Sequence, residues 1–240
     1  MAGITVALRG REEVAERTMA FHFEKPSGFT FKPGQTIDLT LIDPPESDAE
    51  GNTRTFSIAC APGDEDIMIA TRMRDTAFKR VLKSMALGSP VQLEGPMGSF
   101  TLHNNASKPG VFLAGGIGIT PFRSMVRQAA RDQSPHTLYL FYANNRPEDA
   151  PFLEELTRLP GSNPRIHIVP TMSEMARSTR PWKGATGFID EQLLRASLSN
   201  LQGPIYYIAG PPAMVTAMRD MLTKTQVDED DIRTEEFAGY

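Results

Sequence analysis

Apolar residues recur along this chain with two periods, and the change falls near residue 103. Before it, short β-branched or aromatic segments alternate apolar and polar positions. In 36–42, Ile37, Leu39 and Leu41 share one face while Thr36, Asp38 and Thr40 share the other. Segments 4–8, 18–23, 54–59, 67–73 and 91–94 join it to make six predicted strands, separated by turns such as Lys32-Pro33-Gly34-Gln35 and Ala61-Pro62-Gly63-Asp64. Such strands predict a small antiparallel barrel. One helix interrupts them over 76–85, with Phe78, Val81, Leu82 and Met85 at helical spacing and Asp75 or Thr76 as its cap. It reads as a lid on the barrel or, through its N-terminus and Lys79, as an anion site.

A polar, turn-rich linker at 104–110 precedes strands at 111–114, 137–143, 165–170 and 205–209, which alternate with helices at 122–131, 149–158, 188–196 and 211–224. Strands alternating with helices predict a doubly wound parallel sheet, with ligands at the carboxyl ends of its strands. The expected organisation is a β + α/β chain: a six-stranded antiparallel barrel in 1–105, then a doubly wound α/β unit in 106–240.

The first strand of the second unit runs into Gly115-Gly116-Ile117-Gly118-Ile119-Thr120-Pro121. Three glycines in four positions let a diphosphate approach the backbone where the N–H groups of a helix's first turn are free. Pro121 stands where the usual dinucleotide fingerprint has its last glycine, and the first helical turn tolerates it. A glycine-rich turn without a ligand is the alternative.

Composition narrows the partners. The 240 residues carry a net charge of -4 and 40% hydrophobic residues, enough to bury a full core and too acidic for nucleic acid to be the main partner. The single cysteine, Cys60, excludes a disulfide framework and a four-cysteine iron–sulfur cluster within this chain. The four histidines show no metal-ligand spacing. No apolar run reaches about 18 residues and no secretory signal opens the chain, so membrane insertion is not expected and a cytoplasmic location is.

Arg54-Thr55-Phe56-Ser57 sets a permanent cation beside a flat ring on one strand face, which suits a ligand with both phosphate and an aromatic system. An ordinary cross-strand pair remains open. With Gly95-Pro96-Met97-Gly98-Ser99-Phe100, the glycine turn at 115–118 and Ala209-Gly210-Pro211-Pro212-Ala213-Met214, these motifs occur in an order that resembles the ferredoxin–NADP reductase superfamily over nearly the whole chain. That resemblance implies an FAD-dependent oxidoreductase passing hydride from NADPH or NADH to flavin, then electrons to a small redox protein or an oxygenase component.

By the resemblance, Arg54 holds the flavin diphosphate, Phe56 lies against the flavin where relatives have tyrosine, and Ser57 bonds near N5. Thr71, Thr76 and Lys79 complete the flavin side. Gly115, Gly116, Gly118, Thr120 and Pro121 face the nicotinamide nucleotide, and Gly210, Pro211 and Met214 shape its pocket. Ala209 stands where many relatives have cysteine. Arg146, or Ser173 with Arg177 or Arg180, is offered as the receptor of a 2′-phosphate, which tilts the expectation toward NADPH. Tyr240 is the expected gate over the flavin and Glu236 the expected proton relay. A flavin-sensing module without catalysis and an electron-transfer subunit served by a separate iron–sulfur protein are the rivals.

Overall fold

The computed structural model describes residues 3–237. Its first half is one sheet of six antiparallel strands: β1 (Ile4–Ala15), β2 (Thr18–Glu24), β3 (Thr36–Leu41), β4 (Thr53–Ser57), β5 (Asp66–Arg72) and β6 (Pro90–Met97), in the order β4-β3-β6-β1-β2-β5. The edge strands meet where the N–H of Ala59 donates to the Met68 carbonyl at 2.8 Å. Alternation sends Ile37, Leu39 and Leu41 into the barrel interior with Leu8, Phe21, Phe23 and Ile69. β1 runs on to Ala15, well past the apolar segment that predicted it, because its outer half pairs with β2 through two register irregularities. Helix α1 (Ala77–Ser84) buries Ala77, Phe78, Val81 and Leu82 against that interior, and Thr76 caps it by accepting the Lys79 N–H at 3.4 Å.

The second half is a six-stranded, wholly parallel sheet. Its strands are β7 (Gly110–Gly115), β8 (Leu138–Asn144), β9 (Ile166–Met172), β10 (Ala185–Thr186), β11 (Ile205–Gly210) and β12 (Ile232–Glu236), ordered β10-β9-β8-β7-β11-β12. Helices α2 (Ile119–Arg131) and α3 (Leu153–Arg158) cover one face; α4 (Glu191–Ser197) and α5 (Pro212–Lys224) cover the other. The strand order reverses between β7 and β11, which opens a crevice at their carboxyl ends.

Several boundaries differ from the sequence expectation. The helix expected at 149–158 is a 3-10 turn over Pro147–Asp149 followed by α3, with Phe152 left-handed at φ 61° between them. The helix expected from 188 starts at Glu191, capped by Asp190, which leaves Phe188 outside it. The short β10 and the edge strand β12 were not expected, since neither carries an apolar run.

Helix α2 fastens the halves together. Arg123 donates to the Ala59 carbonyl at 2.6 Å and Ser124 to the Cys60 carbonyl at 2.6 Å. Arg127 and Arg131 both reach Asp64, while Arg123 and Arg127 pair with Glu155. In return, Ile117 of the glycine turn packs into the barrel's apolar cluster.

Candidate active site

The barrel presents the first half of the site on β4. Strand alternation puts Arg54 and Phe56 on one partly exposed face, as expected, with Phe78 of α1 behind them. The Arg54 guanidinium stands 5.2 Å over the Phe78 ring, and the Phe56 and Phe78 centroids are 6.0 Å apart. Lys79 is half-buried nearby; burial first, then the charges of Arg74 and Arg54, lower its ammonium to about 8. Three cations thus share one small region, which is favourable only with an anion among them. The chain supplies one. Asp48, from the acidic loop before β4, accepts the Ala77 N–H at 3.1 Å and lies 3.3 Å from Arg54, and Glu50 lies 2.8 Å from Arg54.

Ser57 ends β4 with its side-chain Oγ buried and without a hydrogen-bond partner. An orphaned buried hydroxyl costs about 1–3 kcal/mol, so this atom fits a ligand that bonds to it. Thr71, expected on the flavin side, is buried in β5 with its hydroxyl 3.4 Å from the Arg72 carbonyl. The groups needed to hold a flavin are therefore present: a cation for phosphate, an apolar ring beside it and an unpaired polar atom next along the strand.

The second half of the site is a cleft of about 340 Å³ at the carboxyl ends of β7, β8 and β11, lined by Gly115, Gly116, Pro211 and Met214 at one end and by Asn145 and Ser173 at the other. Gly116, at φ 55°, turns the chain beneath it. Gly115 and Gly210 let the ends of β7 and β11 meet, since a Cβ on Gly210 would lie 3.2 Å from the Gly115 Cα. A Cβ on Gly118 would collide with the Ala209 carbonyl. Gly118, Thr120 and Pro121 are buried behind the turn, where the Thr120 hydroxyl donates to the Ile117 carbonyl at 3.1 Å. These three shape the cleft without lining it.

Three residues that the sequence did not single out stand out in the structure, two of them in this cleft. Arg72, at the end of β5, reaches across from the barrel to line the cleft beside Gly116 and donates to the Asp149 carbonyl at 3.2 Å. Phe188 lines the same cleft with 79% of its surface exposed. Glu235 has a buried Oε2 without a partner, and desolvation pushes its carboxyl up to about 7. The sequence signal for Arg72 is a basic residue next to the end of the strand expected at 67–73. Phe188 and Glu235 have none.

Two expected roles change. Glu236, the expected proton relay, is exposed on β12, whereas alternation turns Glu235 inward on the face that carries Arg233. Arg146, offered for a 2′-phosphate, does not line the cleft; it bridges Asp149 at 2.8 Å and Glu16 of the barrel at 2.6 Å. Tyr240 lies outside the described residues. Cys60 is buried, which raises its thiol to about 11 and removes it as a nucleophile. Trp182 packs in its loop, its indole N–H donating to the Ala185 carbonyl at 2.8 Å. Another hollow, about 420 Å³ between Lys32, His103 and His136, lies along the later turns of α2, at Met125, Gln128 and Ala129.

A barrel with a cation-and-ring site, followed by a parallel sheet with a glycine-lined cleft at its switch point, is an arrangement suited to one ligand with a ring and phosphate and to a second that is a nucleotide. Comparison with known proteins agrees. Residues 112–220 match the family described as Oxidoreductase NAD-binding domain. The chain is 27% identical over 228 residues to the glycine betaine monooxygenase reductase subunit of Chromohalobacter salexigens, covering 93% of this chain and 60% of that subunit. It is 29% identical over 213 residues to ferredoxin–NADP reductase B of Sorangium cellulosum, covering 85% of this chain and 84% of that protein. Among solved structures, the flavohem-like FAD/NAD-binding domain of nitric oxide dioxygenase from Vibrio cholerae superposes with a TM-score of 0.84 at 19% identity, covering 99% of both chains. Over most of its length the chain is similar to a ferredoxin–NADP reductase and to a monooxygenase reductase subunit, and it has the fold of an FAD/NAD-binding domain. Among the described residues, no helix is long and apolar enough to cross a membrane.

Proposed function

We propose that this chain is an FAD-dependent reductase that takes hydride from a reduced nicotinamide nucleotide and passes electrons to an external acceptor, either a small redox protein or the oxygenase component of a two-part enzyme. One observation carries the reading. The barrel and the cleft share a wall, because Arg72 of β5 lines the cleft while Ile117 of the glycine turn packs into the barrel's apolar cluster. Residues on either side of such a seam would hold two ring systems together without diffusion, and oriented contact of this kind is worth effective concentrations of about 10⁵ M or more.

Bound flavin would supply the chemistry of accepting hydride and releasing electrons. The chain's residues would do the rest. Arg54 and Lys79 would hold its phosphates, with Asp48 displaced, and Phe56 would cover its apolar edge. The Ser57 hydroxyl would find its missing partner on the ring. Arg72 and the Gly116 turn would hold the nucleotide diphosphate, Met214 and Pro211 would wall its nicotinamide, and Phe188 would offer a face to its adenine. Glu235, poised near neutrality, would hold or release a proton beside Ala209.

The relatives named as a reductase subunit and a ferredoxin–NADP reductase support an external acceptor. The cytoplasm, where reduced nicotinamide nucleotides are regenerated, is the proposed place of work. Steady-state turnover with ferricyanide tests the reading: FAD-loaded protein should reduce it with a reduced nicotinamide nucleotide as donor, and no turnover with either nucleotide would count against it.

A further inference from the structure

The adenosine half of a dinucleotide lies beyond the carboxyl ends of the strands on one side of the glycine turn, which here are β8, beside β7, and β9 beyond it. Asn145 and Ser173 line the cleft at that end. Three arginines follow them in sequence, and each is already paired with carboxylate. Arg146 holds Asp149 and Glu16, Arg177 holds Glu174 at 2.5 Å, and Arg180 holds Glu154 at 3.2 Å.

The uncharged donors are taken as well. The Ser178 hydroxyl, the N–H and hydroxyl of Thr179 and the Arg180 N–H all point at the Glu148 carboxylate, at 2.8–3.2 Å. Desolvation opposes them, yet its own N–H, the Thr179 N–H and the Ser178 and Thr179 hydroxyls hold that carboxyl at about 2. An anion site exists here, and the chain's own glutamate fills it. Lys183 precedes β10 and so lies toward the opposite end of the sheet.

Glu174 is the acidic half of the pair with Arg177, so that pair offers no net positive charge to a phosphate, and its N–H donates to the Asn145 carbonyl at 2.8 Å, which sets its backbone beside both residues that line the adenosine end of the cleft. A carboxylate there accepts a ribose hydroxyl and repels a phosphate. We infer that this cleft takes NADH in preference to NADPH, with Glu174 as the discriminating residue. The inference rests on the reductase reading and reverses the expectation drawn from Arg146, Arg177 and Arg180 in the sequence.

Titration calorimetry of the purified chain with NAD⁺ and with NADP⁺ tests it without relying on turnover. NAD⁺ should bind at least about tenfold more tightly. Equal affinities, or tighter NADP⁺, would overturn the preference. Glu174→Arg removes the carboxylate and frees Arg177, so NADP⁺ affinity should rise about tenfold. Glu174→Gln, the gentler change, should narrow the ratio in the same direction with an unchanged melting temperature. If both variants keep the original ratio, Glu174 is not the discriminating residue. Binding of neither dinucleotide, with no ferricyanide turnover, contradicts the reductase reading itself and not the choice of coenzyme.

Discussion

The Asp48 carboxylate lies 3.3 Å from the Arg54 guanidinium, and its second oxygen accepts the N–H that opens helix α1. A flavin phosphate would need the same two donors, since a helix N-terminus beside an arginine is a general anion site. Bound flavin would therefore compete with Asp48 for Arg54 and the Ala77 N–H. Asp48→Asn should raise FAD affinity severalfold, and Arg54→Ala should weaken it by about ten- to a hundredfold, both read by quenching of flavin fluorescence. A weaker grip in Asp48→Asn would show that the aspartate supports the site.

Ser57 gives a prediction in which stability and function part. Its hydroxyl has no partner in the protein, so Ser57→Ala should leave the flavin-free melting temperature unchanged or raise stability by about 1 kcal/mol. Reduction of the FAD-loaded variant should slow by about tenfold, the order of one lost hydrogen bond at a reacting centre. A destabilised flavin-free variant would mean that the hydroxyl already has a structural task.

Glu235 sets a pH dependence. Desolvation raises its carboxyl to about 7 in the folded chain, above the ordinary value of about 4.3 when unfolded. The folded state therefore holds the proton more tightly, and this group's contribution to stability falls as pH rises from about 4.5 to about 7. Glu235→Gln should be close to neutral at pH 4 and stabilising by about 1–2 kcal/mol at pH 8, after discounting for partial solvation. Urea melts at the two pH values decide it, and an equal difference at both would contradict the assigned shift.

Gly118 is a packing requirement. Its α-carbon faces the Ala209 backbone across the crevice, where neither the helix start nor the buried strand can move aside. Gly118→Ala should cost about 1–3 kcal/mol by overpacking, measured by chemical denaturation, whereas Gly161→Ala, which meets open space, should not.

How far these features were legible in the sequence follows from what fixes each of them. The barrel strands and parallel strands β7, β8, β9 and β11 announce themselves because one or both faces are apolar, and period alone then sets the type. β12 does not: Arg233, Glu235 and Glu236 occupy an edge held by backbone pairing with β11 and by the Arg233 contact to Tyr207. Arg54 and Phe56 could be placed on one face because two residues apart on a strand means the same side. The pairing of Arg146 with Glu16 could not, since it joins residues 130 positions apart. Glu235 and Glu236 look alike in sequence, and only the register of β12 decides which is buried.

The central claim is that flavin and nicotinamide meet across the seam between Arg72 and Gly116. Its most direct test is the visible absorption spectrum of the FAD-reconstituted protein, recorded without oxygen before and after one equivalent of NADH. The account predicts a yellow protein whose flavin band bleaches on mixing. A protein that retains no FAD, or that binds FAD and stays yellow with both NADH and NADPH, would contradict it.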